Sequence, residues 1–256
     1  MKVVLLCAGY ATRLYPLTQN KPKPLLPVGE KPILEWILDR IVGLQDVEAV
    51  YLVTNHQFAG HFERWKASIS HPWPLEVVDD QTLSNGTRLG AIGDLNYVLK
   101  KKKLGASDLL VIAGDNFFDF NLHKVVACGR TKRPHAVVAV HDVRDREVAR
   151  LYGIVTVDAG GRVISFEEKP ARPASTLASS GIYWLPAEAV VLLDRYLTGG
   201  HNPDQPGHFM KWLAEADRLF AIPLEGCWLD IGDKSSYKKA NTMFRQFQKS
   251  SSKENL

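Results

Sequence analysis

Apolar and polar residues alternate in blocks as far as Val140. Val3–Ala8 is an unbroken apolar run, the pattern of a strand buried on both faces of a parallel sheet. Ile33, Leu34, Ile37, Leu38, Ile41 and Val42 then recur at helical spacing behind Pro32, a residue suited to a first helical turn. Val47–Thr54, Leu75–Val78, Asp108–Ala113 and Ala136–Val140 read as further strands. Helices are predicted over Phe58–Ser68 and from Gly86–Gly90 to the lysine run Lys100–Lys103. This alternation predicts an α/β fold with an open, mostly parallel sheet flanked by helices. After Tyr152 the rhythm changes. Short β segments at Gly153–Val157, Arg162–Glu167 and Ser179–Trp184 are separated by Gly160-Gly161 and by Pro170 and Pro173, and the turn from Val157 to Arg162 reads as a hairpin. Helices are expected at Ala187–Leu197 and around His208–Ala214, strands at Leu219–Pro223 and Cys227–Asp230, and a last helix at Lys234–Gln248. The expectation is one domain over 1–248, with 249–256 a disordered tail.

Composition narrows the classes. A chain of 256 residues, 45% hydrophobic and 23% charged, has ordinary globular content and can bury a full core without disulfides. The net charge of +4 is local: five of the 32 basic residues but one of the 28 acids follow Tyr237, so the remainder carries 27 of each sign. A neutral body argues against a nucleic-acid surface. The run Lys100–Lys103 reads as a solvated helix end favoured by the helix dipole, or as a phosphate or nucleic-acid patch. Cys7, Cys128 and Cys227 are far apart, with no Cys-x-x-Cys spacing, so neither a zinc site nor a disulfide framework is indicated. The first apolar run is shorter than the ~7–15 residues of a signal core. No segment approaches the ~20 apolar residues of a membrane span. The expected location is the cytoplasm, with no membrane partner.

The candidate chemistry lies at strand ends, where open α/β sheets bind ligands. Gly9 to Pro32 is a long loop with five prolines and three lysines, and loops of this length are usually functional. It contains neither Gly-x-Gly-x-x-Gly nor Gly-Lys-Ser/Thr. A glycine followed by Thr12-Arg13 suggests a different phosphate grip, with backbone N–H groups facing the phosphates and Arg13 and Lys23 supplying charge. The alternative is a solvated loop. Asp115 ends an apolar strand and Asp230 follows Trp228 on another; two such carboxylates could share a hard cation such as Mg²⁺, or Asp115 could simply form a turn. Glu168 and Lys169 offer an acceptor and a cation side by side where Pro170 ends the strand, or form a surface charge pair.

The order of these segments carries a resemblance. Gly9-Tyr10-Ala11-Thr12-Arg13-Leu14-Tyr15-Pro16-Leu17-Thr18, then Lys21-Pro22-Lys23-Pro24-Leu25-Leu26-Pro27-Val28, resembles the signature of the sugar-1-phosphate nucleotidylyltransferase family, and most of all its glucose-1-phosphate thymidylyltransferase branch. Gln81 stands five residues before Gly86, as in the family's base-recognition segment. Gly114-Asp115-Asn116-Phe117-Phe118 is similar to its magnesium segment, Tyr152-Gly153-Ile154-Val155 and Phe166-Glu167-Glu168-Lys169-Pro170 to its sugar segments. Ser180-Gly181-Ile182-Tyr183 and Trp228-Leu229-Asp230-Ile231-Gly232 complete the set, which extends from Lys2 to about Asn241.

The resemblance implies a Rossmann-like (GT-A-like) nucleotidyltransferase fold with a small β-rich sugar-binding insertion. The nucleotide-binding part would cover about 1–142, the sugar-binding part about 143–232, and a C-terminal helix about 233–248. It implies that Arg13 and Lys23 are catalytic. Ala8, Gly9, Thr12, Arg13, Gln81, Gly86 and Thr87 would bind the nucleotide, Gly153, Glu168, Lys169 and Gly181 the sugar phosphate, and Asp115 and Asp230 a Mg²⁺. Two positions depart from the family pattern. Ala11 replaces a common glycine, and its methyl should limit positive φ. Arg88 replaces a small residue, and either contacts a phosphate or points to solvent.

None of the eight histidines falls in these segments. A sugar phosphate is largely ionised at neutral pH, its second pKa being about 6, and needs no general base. The implied partners are a nucleoside triphosphate, dTTP or UTP, and a sugar 1-phosphate, glucose 1-phosphate leading; homo-oligomerisation stays open. The rivals are a CTP- or GTP-dependent enzyme for another phosphorylated sugar or alcohol, and a non-catalytic nucleotide-sensing subunit.

Overall fold

A computed structural model describes residues 1–253. The chain begins with β1 (Lys2–Leu6), β2 (Pro27–Val28), β3 (Lys31–Pro32), α1 (Ile33–Val42), β4 (Ala49–Thr54), α2 (His56–Lys66), β5 (Leu75–Asp79) and α3 (Ala91–Lys102). There follow β6 (Leu109–Ala113), β7 (Asn116–Phe118), α4 (Leu122–Lys132), β8 (Ala136–Asp142), α5 (Arg146–Ala149), β9 (Gly153–Val157), β10 (Val163–Glu168) and β11 (Leu177–Leu185). The last elements are α6 (Ala187–Val190), α7 (Leu192–Thr198), α8 (Pro206–Glu215), β12 (Leu219–Pro223), β13 (Trp228–Asp230) and α9 (Lys234–Lys253).

Among the described residues nine strands form a central sheet in the order β10-β9-β11-β6-β1-β4-β5, with β8 joining β11 to β12. The β6-β1-β4-β5 half is parallel, as its continuous apolar runs require: Val3, Val4 and Leu5 have no exposed surface, and β4 is buried throughout. β11 runs antiparallel to β6 through Ile182–Leu185 and to β8 on both sides of a register shift between Ser179 and Tyr183, while Leu177 and Ala178 also pair with β9. The shift falls at Gly181, whose φ of +73° suits glycine; a Cβ there would lie 2.7 Å from Asn116 Nδ2.

Helices cover both faces, the α/β class that the alternation predicts. One layer packs Leu34, Ile37, Phe58, Phe62 and Val125 against the sheet, the other Ile92, Leu95, Leu193, Phe209 and Met210. Burying each such side chain contributes roughly 1.5–3 kcal/mol. A third cluster matters most for the site: Leu14, Leu26 and Val28 of the long loop and Ile33 of α1 meet Phe117, Leu229, Ile231 and Phe244. Tyr237 of α9 donates from its hydroxyl to Pro27 O at 2.6 Å, tying the same loop down.

Several boundaries differ from the sequence pattern, and α4 is not predicted by it; three differences bear on the site or the chain's end. Gly86–Gly90 do not open a helix; Asn85–Thr87 form a 3-10 turn closed on Ser84, and α3 starts at Ala91 beyond Gly90, whose φ is +79°. α2 starts two residues early because Asn55 accepts from Phe58 N at 3.1 Å and caps it. α9 continues through 249–253, with no glycine or proline to stop it, where the pattern assigns a disordered tail; 254–256 lie outside the described residues. No helix among the described residues is long and apolar enough to cross a membrane.

Candidate active site

The long loop leaves β1 at Cys7, whose N–H donates to Val53 O at 2.9 Å. The buried Asn55 holds the next residue by donating from Nδ2 to Ala8 O at 2.9 Å. Ala11 corrects an expectation. It adopts φ 49° and ψ 40°, the left-handed conformation its methyl should disfavour by roughly 1–2 kcal/mol. Its carbonyl accepts from Thr18 Oγ1 at 2.8 Å and from Leu14 N at 3.0 Å, which offsets that cost. Leu14 anchors the 3-10 turn Thr12–Leu14 in the core, and Thr12 and Arg13 are left on its outer face. A second 3-10 turn, Lys23–Leu25, presents Lys23 Nζ 2.5 Å from Asp115 Oδ2.

Asp115 follows β6, and Asp230 ends β13. The β7–β13 ribbon brings them together, with Asp230 opposite Asn116 and Ile231 N donating to Asp115 O at 3.1 Å. Burial, then the nearby Asp115, push Asp230 up to about 6, while Lys23, Arg13 and Lys169 pull it back. A Cβ built on Gly232 would lie 3.3 Å from Arg13 Nη2 and 3.6 Å from Asp230 Oδ2, so arginine and carboxylate converge there. Among the described residues no three His, Cys, Asp or Glu side chains form a metal cluster. Two carboxylates crowded enough to raise one of them nevertheless fit a Mg²⁺, which takes one or two carboxylates and completes its shell with water and substrate phosphate.

Two cavities meet at Asp115. The first, about 260 Å³, is lined by Gly153, Glu168, Lys169, Gly181, Asp115 and Asp230. Glu168 ends β10 opposite Gly153, and burial raises its carboxyl against the pull of Lys169 and His208. Lys169 turns left-handed at φ 46° and donates its N–H to Tyr152 O at 3.0 Å, the strand end that lets both neighbouring side chains reach one cavity. Behind them Trp228 donates from Nε1 to Asn116 Oδ1 and Ser180 O, both at 3.2 Å, and Asn116 Nδ2 donates to Ser180 O at 2.8 Å. These bonds tie the first residues of β7 and β13 to the middle of β11.

The second cavity, about 330 Å³, is lined by Ala8, Gly9, Tyr10, Asn85, Arg88, Asp94, Asp115 and Asp204, among others. Of the expected nucleotide residues, Ala8 and Gly9 line it. Thr12 and Arg13 are exposed and line neither cavity, and neither do the exposed Gln81, Gly86 and Thr87. The segment turns outward because its buried anchors are Asp80 and Thr82, and the Thr87 hydroxyl is spent on Ser84 O at 3.1 Å.

Tyr10, Arg88 and Asp94, none of them an expected nucleotide-binding residue, line the cavity in their place. Tyr10 donates to Thr82 O at 3.0 Å, tying the loop to this segment. Arg88 does not extend freely into solvent: Nε and Nη2 fork onto Asp204 at 2.9 and 3.2 Å, and Nη1 donates to Asn85 O at 2.9 Å. Asp94 had one signal, an acid among the apolar positions Ile92, Leu95, Val98 and Leu99 of α3.

A parallel sheet with loops at its carboxyl ends, a cation-ringed acid pair and two adjoining cavities define a phosphate-handling α/β protein. The chain matches the nucleotidyl transferase family over residues 2–246, and it belongs to that family. It is 31% identical over 242 residues to the bifunctional protein GlmU of Methanococcus aeolicus, covering 94% of this chain and 54% of that protein. It is 27% identical over 249 residues to the UTP–glucose-1-phosphate uridylyltransferase of a Synechocystis species, covering 94% of this chain and 62% of the other. The chain thus spans little more than half the length of these curated relatives. In fold it is similar to a Bacillus anthracis protein provisionally described as a glucose-1-phosphate thymidylyltransferase, crystallised with sucrose. The TM-score is 0.76 at 23% identity, covering 95% of this chain and 94% of that one.

Proposed function

We propose that the protein joins a nucleoside triphosphate to a sugar 1-phosphate, giving a nucleotide sugar and pyrophosphate. The observation that carries this reading is the convergence of Arg13, Lys23 and Lys169 on the Asp115–Asp230 pair at the junction of two cavities. A phosphate oxygen of the sugar 1-phosphate attacks the α-phosphorus, the new P–O bond forms, and the bond to pyrophosphate breaks. The nucleophile is already ionised near neutral pH, its second pKa being about 6. Accordingly, among the described residues no histidine lines either cavity. Alignment and charge neutralisation then carry the catalysis.

In this reading Lys169 and Arg13 draw the sugar phosphate and the triphosphate together, Lys23 offsets the charge at Asp115, and Glu168 accepts from a sugar hydroxyl. Asp115 and Asp230 would hold a Mg²⁺, which would neutralise charge on the triphosphate. The name of the Synechocystis relative supports UTP as the nucleotide and glucose 1-phosphate as the sugar, and dTTP rests on the sequence resemblance. Pyrophosphate release across a grid of four triphosphates against several sugar 1-phosphates tests the proposal. Release with glucose 1-phosphate and UTP or dTTP is expected. No release from any pair overturns it.

A further inference from the structure

Asp94 is a buried acid that this reaction scheme does not use. It sits in the first turn of α3, only 6% exposed, and lines the nucleotide-side cavity. Its neighbour Asp80 is 5% exposed and already accepts from Thr82 N at 2.6 Å. Two buried carboxyls can bond to each other only by sharing a proton. That arrangement occupies one oxygen of Asp94. The other, Oδ1, is buried without a hydrogen-bond partner, and an unmet buried acceptor is costly. Asp94 is part of the wall of a cavity with room for a flat ring: that wall includes Gly9, Gly90 and Ala91, and a Cβ built on Gly9 would meet nothing within 4 Å.

We propose that Asp94 reads the nucleobase, its Oδ1 accepting the ring N–H of uracil or thymine. The inference rests on the nucleotidylyl-transfer reading and adds the residue that sets base choice. Uracil and thymine carry one N–H donor on the ring, at N3, between two carbonyl acceptors. Cytosine presents a lone pair at that position, which would face the Asp94 oxygen and be repelled. Burial and the adjacent Asp80, with Asp204 beyond it, push Asp94 up to about 8, so at neutral pH the pair keeps its shared proton and Oδ1 stays a neutral acceptor.

The test is equilibrium binding of UTP, CTP and inorganic triphosphate, with turnover measured in parallel. The wild-type protein should prefer UTP over CTP by at least about tenfold, the scale of one buried unpaired group. Asp94→Asn keeps an oxygen towards the base while its amide donates to Asp80, so the UTP:CTP ratio should survive. Asp94→Leu removes the acceptor, and the ratio should fall to near one with inorganic triphosphate binding unchanged. Should Asp94→Leu not fold, Asp94→Ser serves the same purpose, because its hydroxyl can still donate to Asp80. A purely structural role predicts that Leu and Ser weaken UTP and CTP equally; an unchanged ratio in them overturns the proposal. Selective binding without turnover on any sugar phosphate would overturn the reaction and leave Asp94 as the base reader. Binding of neither nucleotide overturns both.

Discussion

In the cavity that the proposed function assigns to the nucleotide, the expected binding residues hang from a loop that follows a parallel strand. In the cavity it assigns to the sugar they come from the strands themselves. Ala8, Gly9 and Tyr10 belong to the loop after β1, held by a few bonds such as Asn55 to Ala8 O and Tyr10 to Thr82 O. Gly153 begins β9, Glu168 ends β10, Gly181 lies within β11 and Asp230 ends β13. The loop side therefore separates chemistry from stability, because side chains such as Arg13 project from a turn whose anchor is another residue, Leu14. The strand side merges the two, since a residue that faces ligand also sets a ladder register.

The largest expected effects test the loop side. Lys23→Ala and Arg13→Ala should each lower turnover by on the order of 10²–10³ with an unchanged circular dichroism spectrum and melting temperature. Wild-type pyrophosphate release by both would remove the loop from the catalytic account. Exhaustive chelation should abolish turnover and added Mg²⁺ should restore it.

The next effect belongs to the strand side. Glu168→Ala should raise the KM for the sugar 1-phosphate about tenfold or more while leaving triphosphate KM in place, because it removes an acceptor from one cavity only. Gln81→Ala, by contrast, should shift base preference less than Asp94→Leu, since Gln81 is exposed and outside both cavities. A collapse of base preference in Gln81→Ala would show that this segment closes inward on binding.

A smaller effect measures how far structure and function are merged. Gly181→Ala should cost about 1 kcal/mol or more in urea unfolding, from the positive φ and the crowding of Asn116. It should also impair sugar-phosphate binding, whereas a stability loss with normal kinetics would separate the two roles on this side as well.

The last effect is a slope. The Asp94–Asp80 pair keeps a proton in the folded state up to about pH 8, while the unfolded chain releases it near pH 4. The folded state then binds the extra proton between these values, so this contribution to stability is complete below about pH 4, is lost progressively as pH rises to about 8, and is constant above. Asp94→Asn should flatten that fall in melting temperature; an identical slope would place the shared proton elsewhere.

Much of the molecule follows from local pattern. Continuous apolar runs identify central parallel strands because both faces are buried. The long proline-rich loop stands out as a candidate functional segment, and the β9–β10 hairpin follows from its glycines. The acid at each strand end, Asp115 and Asp230, is legible for the same reason: a polar residue that stops an apolar strand sits at the sheet's edge of solvent. Contacts between distant segments are not written in any local window. The Lys23–Asp115 pair, the Arg88–Asp204 fork and the Asp94–Asp80 carboxyls each join residues from different elements. The left-handed turn at Ala11 likewise depends on Thr18 and Leu14 as partners. Sequence period thus determined which faces are buried, because burial follows from the spacing of side chains along one element. Only the tertiary structure decided which polar groups share a cavity, because that depends on where the sheet order brings strand ends that are far apart in the chain.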